Sequence, residues 1–212
     1  MKVLMLLAHP DDEIIFGYPI LQDPNIEKEI LCVADDRNNT VRQEWCGRRD
    51  ALKEVGAMLD IEVATMGYNS CFARELRHRA HANGMDDSGP VFHARLAQEV
   101  ANRECDFIFT HNPDGEYGHI DHLFMFHAAL HLPKPLLITD MFIDANWMPK
   151  DAVGQRHQIG TLLQGSSGEA LQHVDKELYG RCEAIYRKHK CWTWSKPPIE
   201  TCHLLEVPLC QK

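Results

Sequence analysis

The chain has 212 residues, enough for one domain with a sizeable core. Its net charge is -9, from 22 basic and 31 acidic residues, with 13 histidines counted neutral. No basic run is present to neutralise phosphates, which argues against a nucleic-acid partner.

The first apolar run, Lys2 to Leu7, has strand length and stops at Ala8-His9-Pro10-Asp11-Asp12-Glu13. It is short, ends in charges and lacks a small-residue cleavage site, so no signal peptide is expected. No stretch approaches the ~20 apolar residues of a membrane span. Pro10 has no N–H to give to a strand ladder. Asp11 and Asp12 then fall at the N-cap and first turn of a helix expected over Asp11 to Leu21.

Glu29 to Ala34 reads as a second strand, ending in the polar turn Asp35-Asp36-Arg37-Asn38-Asn39. Thr40 is placed to cap a helix running to about Val55 and stopping at Gly56. Ile61 to Met66 is a third strand. From Gly67 to Pro90 the periodicity is lost, and a loop this long in a compact domain is functional or disordered. Pro90 to Glu104 returns to helical spacing, and Asp106 to Thr110 is a fourth strand. His119 to Leu130 is a helix and Pro135 to Thr139 a fifth strand. Gly168 to Lys188 reads as helical and His203 to Pro208 as a last edge strand. Strands alternating with helices predict an α/β fold with a mostly parallel, Rossmann-like sheet flanked by helices. One domain is expected over 1–212, with its core in 1–140 and a helix and edge strand in 141–212.

None of the eight cysteines forms a Cys-x-x-Cys pair, which argues against a structural zinc knuckle. Cys32 and Cys105 read as small buried hydrophobes, and the expected compartment is the cytoplasm, where thiols stay reduced. Cys191, Cys202 and Cys210 cluster near the end, and a disulfide among them is left open. Trp45, Trp147, Trp192 and Trp194 read mainly as half-buried core.

Two clusters carry chemistry. His9, Asp11 and Asp12 sit at the carboxyl end of the first strand, where open α/β sheets place ligands. A histidine and two adjacent carboxylates on one turn can hold a divalent metal and leave one carboxylate free. The plainer reading is a polar loop with a capping Asp. The fourth strand is followed by His111-Asn112-Pro113-Asp114-Gly115-Glu116-Tyr117-Gly118-His119-Ile120-Asp121-His122, the densest titratable set in the chain. His119 and His122, three apart at a helix start, share one face. Alone, such a pair is more often a solvated face or a cap. Both strand ends open onto the same edge of the sheet, so His9 and Asp12 can meet His122 there. Two histidines, a carboxylate and a water make a catalytic zinc site.

At these residues the chain resembles the PIG-L / LmbE-like family of zinc-dependent de-N-acetylases. Ala8 to Glu13 and Gly118-His119-Ile120-Asp121-His122 carry the resemblance, and the order of elements agrees over about residues 1–140. It implies His9, Asp12 and His122 as zinc ligands, with Fe2+ as the other candidate ion. It implies Asp11 as general base toward a zinc-bound water, and His119 as oxyanion stabiliser and donor to the leaving amine. Asp121 would orient His119 and keep it protonated, and Tyr117 would assist at the substrate carbonyl. Arg48 is the implied substrate-binding arginine, with Arg49 and Arg42 as other registers, and Asp87 of Asp87-Ser88-Gly89 would contact sugar hydroxyls. Where members carry a Thr-x-Gly-Glu-like turn, this chain has Asp35 to Asn39, so its sugar pocket is expected to differ.

The function expected is removal of an acetyl group from an N-acetylated amino sugar of GlcNAc type, free or in a glycoconjugate. The alternatives are a zinc amidase acting on a bulkier or non-sugar amide, and a non-catalytic metal- or sugar-binding protein. A homo-oligomer is left open.

Overall fold

The computed structural model describes residues 1–37, 39–40, 42–74, 76, 89–141, 170–195 and 198–207. Its centre is a seven-stranded sheet of order β3-β2-β1-β4-β5-β7-β6. The strands are β1 (Lys2–Leu7), β2 (Glu27–Ala34), β3 (Glu62–Tyr68), β4 (Phe107–Phe109), β5 (Leu136–Thr139), β6 (Ala170–His173) and β7 (Thr201–Val207). β1 to β5 pair in parallel, while β7 runs antiparallel to both β5 and β6.

The side-chain alternation of β1 explains the layers. Val3, Met5 and Leu7 face one core with Ala51, Leu52, Val55, Tyr179, Cys182 and Tyr186. Leu4, Leu6 and Ala8 face the other, with Phe92, Leu96, Val100, Met125 and Phe126. β1 is covered on both faces, which is why it reads as an unbroken apolar run. The chain leaves β1 toward β2 and β3, then returns to the far side of β1 as β4 and β5. The switch point therefore lies between the carboxyl ends of β1 and β4, where such sheets open a crevice.

Several elements depart from the sequence reading. The helix expected over Asp11 to Leu21 is two short helices, Asp12–Ile15 and Tyr18–Leu21. Pro19 cannot donate within a continuous helix, and its ring would crowd the preceding turn. At Gly17 a Cβ would lie 2.9 Å from the Glu13 carbonyl oxygen as well as 2.5 Å from Met5 Cε, so a side chain there would crowd the backbone of the first helix.

The next helix is Arg48–Leu59, preceded by a 3-10 turn at Gln43–Trp45, and Gly47 rather than Thr40 is its N-cap residue. It also runs through Gly56, because that glycine serves packing: a Cβ there would meet Val63 Cγ1 at 2.6 Å. Asp60 takes the left-handed position that ends it, with φ 55°.

The segment expected as helical from Gly168 begins instead as β6. Asp175 then accepts from the N–H groups of Glu177 and Leu178 and caps helix Lys176–Lys188. β7 is not at the edge, since β6 pairs outside it. Cys191 and Cys202 are reduced thiols, and Cys210 lies outside the described residues.

Candidate active site

The first turn sends adjacent side chains in different directions. Asp12 Oδ2 accepts from the His9 N–H at 2.7 Å, closing a tight turn after β1. Asp11 sits at φ 103°, a region that side chains rarely enter and that marks functional strain. Its neighbour's carboxylate therefore faces β4, while its own faces Arg48. Burial pushes Asp11 up to about 6, against the opposing pull of the Arg48 guanidinium.

The second turn follows β4. Asn112 organises it, donating to the carbonyls of Thr139 and Met141 and accepting from the N–H groups of Asp114 and Glu116. Glu116, at φ 56°, is wrapped back under the histidines. Its Oε2 accepts from His122 Nδ1 at 2.7 Å and His111 Nδ1 at 3.2 Å, and its Oε1 from the Asn112 N–H. His119 precedes helix Ile120–Leu130 and caps it, Nδ1 accepting from the Asp121 N–H.

The two turns converge. His9 Nδ1 lies 3.2 Å from His122 Nε2 and 3.4 Å from Asp12 Oδ2, while His122 Nε2 lies 3.5 Å from Asp12 Oδ1. Ligand atoms on a tetrahedron with bonds of 2.0–2.1 Å stand about 3.3 Å apart, so these donors have a zinc ligand set's spacing. The far nitrogens supply the second test. His9 Nε2 donates to Asp121 Oδ2 at 2.9 Å, and His122 Nδ1 to Glu116. With those nitrogens protonated, two lone pairs face each other, and a proton or a cation must separate them. Carboxylate-backed histidines of this kind are the usual support of metal ligands. The site fits a divalent ion.

Two further histidines stand close by. His111 Nε2 accepts from the Ala8 N–H at 3.0 Å, so its lone pair is occupied and it belongs to the scaffold. His119 is held neutral: burial pushes it down, and its Nδ1 accepts from the Asp121 N–H. With Nδ1 accepting, its Nε2 carries the proton.

The other expected residues are placed as follows. Asp121 does not bond His119 through its carboxylate, which instead holds His9 and the N–H groups of Cys71 and Ala73. The expected contact between the Asp121 carboxylate and His119 is therefore absent, and Asp121 reaches that ring through its N–H, which donates to Nδ1 at 3.3 Å. Tyr117 lines the cavity beside Phe16, His119 and Trp194.

Arg48 also lines it, but buried and multiply engaged. Nη1 bonds Asp36 and Ser70, Nη2 bonds Asp11 and Thr193, and the guanidinium stacks 4.7 Å from the Trp45 ring centre. Arg49 faces Asp35 and Arg42 faces Glu44, so of the three registers Arg48 is the one at the cavity. Asp87 lies outside the described residues, as does Trp147.

The cavity has a volume of about 370 Å³, within the range of small-molecule sites. Asp11, Asp12, His9 and His119 form its polar end, and Phe16, Trp45, Tyr117 and Trp194 an aromatic wall. Trp45 and Trp194, read mainly as core with stacking on a sugar as the alternative, thus line the cavity. Glu116, Glu13 and Thr193 were missed by the sequence reading, and only the density of acidic groups near His122 hinted at the first.

A family profile described as GlcNAc-PI de-N-acetylase, PIG-L, matches residues 4–132. This chain belongs to the PIG-L family. Its activity class is that of a metal-dependent de-N-acetylase. No curated protein matches the sequence.

Among solved structures, a deacetylase in complex with teicoplanin, from the teicoplanin biosynthesis pathway, is 10% identical. Its TM-score is 0.59, with 98% of each chain covered. A zinc-inhibited form of teicoplanin deacetylase is 11% identical at TM-score 0.56, covering 97% of this chain and 98% of that one. The 4-carboxy-2-hydroxymuconate hydratase of Pseudomonas putida is 13% identical at TM-score 0.50, covering 97% and 95%. At such identities the likeness shows the fold. No helix among the described residues is long and apolar enough to cross a membrane.

Proposed function

We propose that this PIG-L protein is a zinc-dependent hydrolase that removes the acetyl group from an N-acetylated amino sugar of GlcNAc type, carried on a small molecule or glycoconjugate. The observation that carries the reading is the His9–His122 pair, whose facing nitrogens lie 3.2 Å apart with Asp12 beside them and Asp11 next in the chain. A zinc ion held by His9, Asp12 and His122 supplies Lewis acidity, which can bring the pKa of water from about 15.7 to about 7. Fe2+ suits the same two-nitrogen, one-carboxylate set and is the alternative ion.

The chain's own groups divide the remaining work. Asp11 is outside the ligand set and accepts the proton of the attacking water. His119, neutral with its proton on Nε2, donates to the oxyanion as the carbonyl becomes tetrahedral. The Tyr117 hydroxyl, on the same wall, assists there. When the C–N bond breaks, the amine leaves with the proton that Asp11 took up, so atoms and charge balance. Trp45, Trp194 and Phe16 offer ring faces to a sugar, and Arg48 borders them with both terminal nitrogens already committed to Asp11, Asp36, Ser70 and Thr193.

Metal analysis of the purified protein, combined with an acetate-release screen over N-acetyl sugars, tests this. Stoichiometric zinc or iron with free acetate supports it. Release of a larger acid favours an amidase. Hydration of an unsaturated acid without acetate favours the chemistry named for the Pseudomonas putida neighbour. Ion binding without any turnover leaves a binding protein.

A further inference from the structure

We propose that Tyr186 and Thr193, both beyond the matched residues 4–132, are positioning residues that clamp Asp11 from two sides. The inference rests on the reading of Asp11 as general base. Asp11 is the residue whose geometry most needs support. At φ 103° its backbone is strained, and such strain persists only where neighbours over-determine it.

One arm of the clamp holds the backbone. The Asp11 N–H donates to Glu13 Oε2 at 2.9 Å. Glu13 is fully buried, and its other oxygen accepts from the Tyr186 hydroxyl at 2.7 Å. Tyr186 is also fully buried, in helix Lys176–Lys188, so it acts only through Glu13 and cannot touch a substrate. Without its hydroxyl the Glu13 carboxyl group loses its side-chain partner on Oε1, one of the bonds that hold Oε2 beneath Asp11.

The other arm holds the side chain. Thr193 Oγ1 donates to Asp11 Oδ2 at 3.2 Å and accepts from Arg48 Nη2 at 2.9 Å. Arg48 Nη2 also donates to Asp11 Oδ2, at 3.3 Å. Both contacts fall on Oδ2, which turns Oδ1 away from the Arg48 side. The hydroxyl thus relays between the cation and the base. The late helix and the segment after it fix one residue at both ends, an ordering that proton transfer to a defined atom requires.

The test compares Tyr186→Phe, Thr193→Val and Thr193→Ser in the full, metal-loaded chain. Tyr186→Phe removes the one bond to Glu13 and Thr193→Val the two that link Asp11 and Arg48, of which Arg48 Nη2 still reaches Asp11, so kcat is expected to fall about tenfold in the first and about threefold in the second. KM and bound metal stay at wild-type values, and Thr193→Ser restores kcat. Crystal structures of the same variants provide a readout independent of turnover: Asp11 relaxes from its left-handed φ in the first, and its carboxylate rotates in the second. Wild-type kcat in both variants overturns the clamp while the hydrolase reading stands. If the wild-type chain cleaves no N-acetyl sugar, that reading fails separately. An Asp11 unmoved in both variant structures then overturns the clamp, and a displaced one supports it.

Discussion

Asp121 holds His9 rather than His119: its Oδ2 accepts from His9 Nε2 at 2.9 Å, on the side of the ring away from His122. The proton is thereby fixed on Nε2, and the lone pair of Nδ1 faces the ligand site. Asp121→Ala is expected to weaken the ion by about 10–100-fold, as loss of such supporting carboxylates does. Competition with a chromophoric chelator measures it. An unchanged affinity with a large fall in kcat would instead return Asp121 to a role through His119.

Glu116 carries three donors at once, from His111, His122 and Asn112. Glu116→Ala strands them in a fully buried site and is expected to cost about 2–3 kcal/mol in urea unfolding of the metal-free protein. Glu116→Gln keeps one acceptor and loses less. The two variants should also weaken the ion in the same order. Equal stability of Glu116→Ala and wild type would contradict the geometry.

The two clusters were legible because each follows an apolar run that can only be a buried strand, and parallel strands deliver their ends to one edge. Sequence spacing could not show Glu116, whose part depends on a left-handed φ of 56° folding the carboxylate back under two rings. Nor could it show Tyr186 and Thr193, which reach Glu13 and Asp11 across 173 and 182 positions. β6 was misread because a four-residue strand is defined by its partner β7, not by its own pattern. Gly56 looked like a helix stop, but it marks a close approach to Val63. The family resemblance implied that Asp121 orients His119, while the fold brings His9 across from β1 to its carboxylate, a contact no local spacing shows.

Arg48 joins Asp11 and Asp36, and its side chain and theirs are almost wholly shielded from solvent. Arg48→Met leaves Asp36 without its cation, and a loss of about 3–5 kcal/mol is expected from chemical denaturation. Arg48→Lys should recover only part, because an ammonium cannot reproduce the planar fork that spans both carboxylates. Were the arginine purely a substrate contact, stability would hold and only KM would rise.

Asp11→Ala separates catalysis from binding. The variant is expected to bind metal as wild type does while kcat falls by about 10²–10⁴-fold, the range for a lost general base. Parallel metal analysis and acetate-release kinetics decide the matter. Undiminished turnover would remove Asp11 from the mechanism and leave the carboxylate a structural partner of Arg48.

The most direct measurement is anomalous diffraction at the zinc absorption edge from crystals of the zinc-loaded protein. The account predicts one strong peak bonded to His9 Nδ1, His122 Nε2 and the Asp12 carboxylate at about 2.0–2.2 Å, with Asp11 outside the coordination sphere. A peak coordinated by His111, or by Asp11 in place of Asp12, would contradict it.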